Sequence, residues 1–211
     1  MFLFWLNFLY WCSRYAFVKD RVSDTLVLFQ PYRAQKIVLD IWAGLEERGL
    51  AIACICLKGR QLGISTLTEL AVAHRVQFRR NVNAIIGSSD PGKSTEMSKM
   101  VEVCWANQPW WLLPTITVHK RGEQIEFGNM NSGVSVQHGS QFTGIGRGTT
   151  PSTIHLSETA SFLNAEELID ASLLGAFHES PDRFMVLEST AEGNSGWWYD
   201  TWHQALSMWP R

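Results

Sequence analysis

Residues 51–66, AIACICLKGRQLGIST, decide how the chain is read. Ala51–Leu57 is a short, continuous apolar run, the pattern of a strand buried on both faces in a parallel sheet. The chain then turns polar and glycine-bearing through Lys58, Gly59, Arg60, Gln61, Leu62, Gly63, Ile64, Ser65 and Thr66. Leu67–Phe78 contains neither Gly nor Pro and reads as a helix. A strand, a glycine turn and a helix start aim backbone N–H groups and the positive helix end at one point, and such a point binds phosphate. A regular phosphate loop places Lys directly after its second Gly, with Ser or Thr next. Here Ile64 stands in the lysine slot and Ser65 keeps the hydroxyl slot. Outer phosphates still need a cation, and two lie close by, Lys58 at the start of the loop and Arg60 within it. A strand end with a surface lysine and a salt-bridged arginine would carry the same letters.

With 211 residues the chain can bury one substantial core. A hydrophobic content of 45% with 18% charged residues describes a globular chain rather than a disordered one. Because the net charge is −2, contact with nucleic acid has to rest on local patches. The four cysteines, Cys12, Cys54, Cys56 and Cys104, lack zinc spacing and read as small reduced hydrophobes of a cytosolic protein. The six histidines form no cluster that suggests a metal. The opening MFLFWLNFLYWC is too short to span a bilayer, is interrupted by Asn7, and has neither a basic flank nor a small-residue cleavage site.

Along the chain, residues 2–18 read as helix, Lys19–Asp24 as a polar turn and Thr25–Phe29 as a strand. Pro31 starts a helix over Tyr32–Leu45. Asn81–Gly87 is a second buried strand. Gly87–Ser94, GSSDPGKS, then satisfies the literal phosphate-loop pattern with Lys93. It ranks second, because Pro91 has no N–H where a donor is wanted. Ile116–Arg121 and Glu123–Phe127 form an antiparallel hairpin, and Gly133–His138 a further strand. Gly139–Gly148 is a glycine-rich loop holding Arg147. Thr153–Leu156 is a strand that runs into Ser157-Glu158. Arg183–Glu188 is another, and it runs into Ser189-Thr190-Ala191. Trp198, Tyr199 and Trp202 share a helix face near the end.

Four of these features, in this order, resemble the ATPase domain of the large terminase subunit, the DNA-packaging motor of tailed bacteriophages. Members of that family carry an RQLG loop, and some have its lysine moved to the beginning, as in Lys58–Ser65. The post-strand Ser/Asp loop, the LSE of Leu156-Ser157-Glu158 and the STA of Ser189-Thr190-Ala191 follow. The resemblance implies an α/β fold, a three-layer P-loop NTPase of the additional-strand catalytic-glutamate type with a mostly parallel central sheet. It implies an aromatic-rich lead-in over 1–30 and an ATPase domain over 31–211, with the family's C-terminal nuclease domain absent and no DNA cleavage expected.

For the site, the resemblance implies ATP and Mg²⁺. Gln35 would contact the adenine edge, since an amide offers both a donor and an acceptor; an exposed helix glutamine is an equal account. Lys58, Gly59, Arg60, Gln61, Leu62, Gly63, Ile64, Ser65 and Thr66 would hold the phosphates, with Lys58 and Arg60 neutralising charge. Ser65 and Glu158 would serve the metal, and Glu158 would activate water. Taken alone, Glu158 also reads as a helix N-terminal carboxylate. P-loop ATPases end this strand in two acidic residues; here Ser157 fills the first slot, as in the LSE of some terminases, and only Glu158 remains. Ser189, Thr190 and Ala191 would couple hydrolysis to movement, and Arg147 could be an arginine finger or an ordinary loop arginine. Implied partners are double-stranded DNA, a portal protein, a small terminase subunit and further copies in a ring. The implied location is the host cytoplasm at the procapsid portal, with no membrane. Two rivals remain: a helicase-like nucleic-acid-dependent ATPase, and a decayed ATPase kept for docking or assembly.

Overall fold

Seven strands form one sheet, and its order explains where the loop 58–63 sits. The structure is a computed structural model that describes residues 2–20, 22–138, 150–167, 169 and 181–208. In chain order the elements are α1 (Phe2–Tyr15), β1 (Phe17–Lys19), β2 (Leu26–Leu28), α2 (Arg33–Glu47), β3 (Ile52–Leu57), α3 (Ile64–Phe78), β4 (Asn83–Ser88) and α4 (Pro91–Ala106). They continue with β5 (Ile116–Lys120), β6 (Gln124–Phe127), β7 (Ser132–His138), β8 (Thr153–Ser157), β9 (Phe184–Ser189) and α5 (Trp197–Met208). The sheet runs β3-β9-β8-β4-β7-β6-β5. Pairing is parallel from β3 through β7 and antiparallel for β7-β6 and β6-β5. This is a mixed α/β fold with a mostly parallel central sheet.

Side chains alternate across the sheet, so each face has its own core. Ile52, Ala84, Ile86, Val134, Phe184 and Val186 pack with residues of α1, α2, α3 and α4. Ile85, Ile154, Leu156, Met185 and Leu187 pack on the other face with Phe162, Ala165, Ile169 and Trp198 of α5. Helices therefore cover both faces. On α2 the buried stripe is Gln35, Leu39, Trp42 and Glu46, spaced four, three and four, as one helix face requires. Ile37 falls off that stripe and is exposed.

Several sequence expectations change. β3 is parallel, as expected, but it is the outermost strand of the sheet, and only Ile52 in it is buried. An apolar run marks a strand without showing whether neighbours lie on both sides. The first helix ends at Tyr15, and Phe17–Lys19 pairs antiparallel with Leu26–Leu28 in a small hairpin. On α5 only Trp198 is buried, and Tyr199 is exposed. Among the described residues no helix is long and apolar enough to cross a membrane.

The helix after the loop is unusual. α3 begins at Ile64, directly after Gly63, and every residue from Leu67 to Gln77 is buried. A helix enclosed on all sides has no solvent face for its charged residues. Glu69 and Arg75 must find partners inside the protein.

Candidate functional site

Gly63 is the N-cap of α3 and holds a left-handed backbone, φ 67°. A Cβ there would meet Gln35 Nε2 at 2.6 Å, so both conformation and space call for glycine. Gln61 is left-handed as well, φ 67°. These two reversals bring the chain from the end of β3 into α3. Ile64, Ser65 and Thr66 form the first helical turn, whose N–H groups have no acceptor within the helix. Arg60, Gln61 and Leu62 are exposed at the crest of the loop.

Lys58 folds across the loop rather than into solvent. Its Nζ donates to Ser65 Oγ at 2.8 Å and pairs with Glu188 Oε1 at 3.0 Å, leaving the side chain 12% exposed. A lysine at the start of the loop thus reaches the hydroxyl at its far end. Gln35 is buried beside the same loop. Its Oε1 accepts from the Tyr32 N–H at 2.8 Å, and its Nε2 donates to the Gly63 carbonyl at 2.6 Å. Both ends of the amide are engaged, one capping the start of α2 and the other bracing the loop.

Beneath α3 lies a line of charges that sequence reasoning missed. His155 on β8 is fully buried, with Nδ1 2.6 Å from Glu69 Oε1 and Nε2 3.3 Å from Glu188 Oε1. The order Glu69, His155, Glu188, Lys58 alternates in sign and joins α3, β8, β9 and the loop. Burial alone would lower the His155 pKa, but Glu69 and Glu188 outweigh it and raise it to about 9. Burial would raise that of Glu188, but His155 and Lys58 bring it down to about 2. For Glu69 burial wins over His155, and its pKa is raised. The available signal was a charged letter within each apolar run: His in TIHL, Glu in RFMVLE and Glu in LTELAVA.

Glu158 follows β8 and takes a left-handed backbone, φ 55°. Its carboxylate makes no ion pair or side-chain hydrogen bond among the described residues. Ser157 before it is buried. Ser189, fully buried at the end of β9, links both neighbouring loops. Its carbonyl accepts from the Lys58 N–H at 3.0 Å, and its Oγ accepts from the Ala160 N–H at 3.2 Å. Thr159 Oγ1 donates to the Glu188 carbonyl at 3.0 Å. Thr190 and Ala191 continue beyond the strand, and Ala191 is exposed. Arg147 lies outside the described residues.

The second glycine loop is built differently. Asp90 caps α4, its carboxylate accepting from the Lys93 N–H at 2.8 Å. Lys93 itself pairs with Glu96 at 3.6 Å and is about half exposed. Ser94 Oγ donates to the Gln137 carbonyl at 2.8 Å and accepts from the Ser88 N–H. A protein carboxylate therefore occupies the helix N-terminus where an anion would sit. A cleft of about 880 Å³, lined by residues including Thr159, Phe162, Glu192 and Trp197, contains no residue of 58–66.

Fold and site together describe a mixed α/β chain with a glycine loop feeding a helix at one sheet edge. No protein-family model matches the chain, and no curated protein matches it in sequence. Among solved structures its fold is that of phage large terminases. The HK97 bacteriophage large terminase superposes with a TM-score of 0.74 at 14% identity, over 96% of this chain and 41% of that one. A mutant of the large terminase ATPase domain of Thermus phage P74-26 superposes with a TM-score of 0.53 at 15% identity, over 82% of this chain and 69% of that one. The chain thus spans about two fifths of the length of the HK97 protein.

Proposed function

We propose that the chain is the ATPase motor domain of a phage terminase large subunit, coupling ATP hydrolysis to the packaging of double-stranded DNA. The observation that carries this reading is the contact of Lys58 Nζ with Ser65 Oγ across the glycine loop. It supports a phosphate site built with a lysine displaced to the start of the loop. The strand order supports a P-loop NTPase of the additional-strand type, with β9 standing between the loop strand β3 and the strand β8 that leads to Glu158. Residues 31–211 form the ATPase domain in this reading, with 1–30 as its lead-in.

The chemistry follows from the positions of the side chains. Lys58 and the first-turn N–H groups of α3 place positive charge at one point, where the polyphosphate of ATP would bind. Arg60, exposed on the crest, adds a second cation. Gln35 holds the Gly63 turn, and to contact the adenine edge its amide would have to exchange one of its two bonds. Glu158, with no ion pair or side-chain hydrogen bond among the described residues, is placed to take a proton from an attacking water. Mg²⁺ would be served by Ser65 and Glu158, and it supplies charge neutralisation at the phosphates. With Ser157 in place of a carboxylate, Ser65 and the phosphate oxygens carry more of that task. Ser189, Thr190 and Ala191 would pass movement between the loops, and Arg147 would reach a phosphate or a neighbouring copy. DNA, a portal protein, a small subunit and a ring of copies at the procapsid belong to the same proposal.

The test is Mg-ATP hydrolysis by the chain with and without double-stranded DNA. Glu158→Ala and Lys58→Ala should each lower the rate by about a hundredfold or more, and Lys93→Ala should leave it unchanged. Loss of activity in Lys93→Ala with retention in Lys58→Ala would move the site to the second loop. No hydrolysis and no nucleotide binding in the wild type would favour a docking module.

A further inference from the structure

The lysine that closes the loop comes from the wrong end of it. A lysine on the first helical turn is aimed by the helix, whereas Lys58 leaves the end of a strand on a flexible four-carbon stem. Something has to aim it. In the structure its ammonium is held at two points, Ser65 Oγ at 2.8 Å and Glu188 Oε1 at 3.0 Å. The bond to Ser65 uses one of the three N–H donors of the ammonium and the Glu188 contact is an ion pair, so the ammonium keeps donor capacity for a phosphate oxygen.

Glu188 is itself rigidly placed. It is fully buried on β9, between the two strands that end in the loop and in Ser157-Glu158. His155 Nε2 stands 3.3 Å from the same Oε1, and Glu69 of α3 holds the other ring nitrogen at 2.6 Å. A buried carboxylate without such company would be costly, and here the alternating charges balance it. The low Glu188 pKa and the high His155 pKa agree with a carboxylate and an imidazolium at neutral pH.

We propose that Glu188 is a positioning residue that anchors the Lys58 ammonium on Ser65, with His155 and Glu69 fixing Glu188 in turn, so that a remaining N–H of Lys58 meets the phosphate. This role rests on the reading of 58–65 as a phosphate loop. Glu188 does not touch the nucleotide, and its effect passes through Lys58.

The test uses the full chain with two readouts. The first needs no nucleotide: acetic anhydride labelling, with the rate at each lysine followed by mass spectrometry. Lys58 in the wild type should label about tenfold or more slowly than the half-exposed Lys93, and Glu188→Gln should bring the two rates close together. The second is the affinity for a fluorescent ATP analogue. Glu188→Gln should weaken it about tenfold, the effect of misplacing one charged hydrogen bond, and Glu188→Asp, which keeps the charge, should recover most of that loss. Wild-type Lys58 labelling as fast as Lys93 overturns the proposal, and that measurement needs no variant to fold. Tighter ATP binding in Glu188→Gln also overturns it, because Glu188 would then compete with phosphate. If the wild type binds no nucleotide while Lys58 is masked and Glu188→Gln unmasks it, the phosphate-loop reading fails, and the role of Glu188 falls with it, although the pairing stands.

Discussion

Gln35 Nε2 donates to the Gly63 carbonyl at 2.6 Å, a contact that spans 28 positions of sequence and ties α2 to the turn opening α3. The same nitrogen occupies the space a Gly63 side chain would need. Gly63→Ala should therefore destabilise by about 1–3 kcal/mol, from left-handed strain and the clash together. Gln35→Ala removes the obstructing amide. The double variant should lose less stability than the two single losses added, because the clash is counted only once. Urea unfolding of the four proteins measures this, and strict additivity would show that the two residues do not meet.

The buried line of charges makes stability depend on pH in a stated direction. His155 is raised from the ordinary histidine range to about 9. Its contribution is complete below about 6.5 and is lost as pH rises through about 9. Glu188, lowered to about 2, contributes above its ordinary carboxylate range and loses that contribution as pH falls toward about 2. Glu69, raised by burial, works against the folded state once pH passes its ordinary range. Between pH 7 and 10 the thermal midpoint should fall, and His155→Gln should flatten that fall. Parallel curves for the two proteins would exclude an imidazolium at this position.

Arg75 is the other charge enclosed by α3. Its guanidinium donates to Thr153 Oγ1 at 3.2 Å and to the Asp182 carbonyl, and it lies over the Phe184 ring at 5.3 Å. Burial lowers its pKa to about 9. Arg75→Ala leaves those acceptors without a donor and a cavity beside Phe184, and it should cost about 3–5 kcal/mol in chemical denaturation. A loss below about 1 kcal/mol would mean that the site relaxes around the change.

Asp90 separates the two glycine loops experimentally. Asp90→Ala removes the α4 cap and should cost about 1 kcal/mol. Affinity for ATP should stay at the wild-type value, since phosphate binds elsewhere. An Asp90→Ala protein that gains nucleotide affinity would show an anion site hidden beneath the cap.

The strands β5 to β9 were legible because each is an apolar or alternating run between turn residues. The loop was legible because Gly63 and the helix after it have sequence signatures. Other features had none. The edge position of β3 depends on which strands pair, and pairing is not local. The burial of Gln35 depends on Gly63, far along the chain. The pairing within the charge line was illegible for the same reason: Glu69, His155 and Glu188 come from three separate segments and meet only when α3 packs over the sheet. Each looked like one polar letter in an apolar run. The helix over Tyr32–Leu45 was legible, but which of its apolar residues face inward was not: Leu39 and Trp42 are buried and Ile37 is exposed.

Ser189 accepts the Lys58 N–H with its carbonyl and the Ala160 N–H with its hydroxyl. One residue is thus the shared pivot of two loops that leave different strands. A shift of that pivot along the strand axis stretches both hydrogen bonds together, and neither loop can be displaced far without dragging the other. The distance between the loop starting at Lys58 and the turn following Glu158 is therefore set like the span of a pair of callipers, at a single hinge.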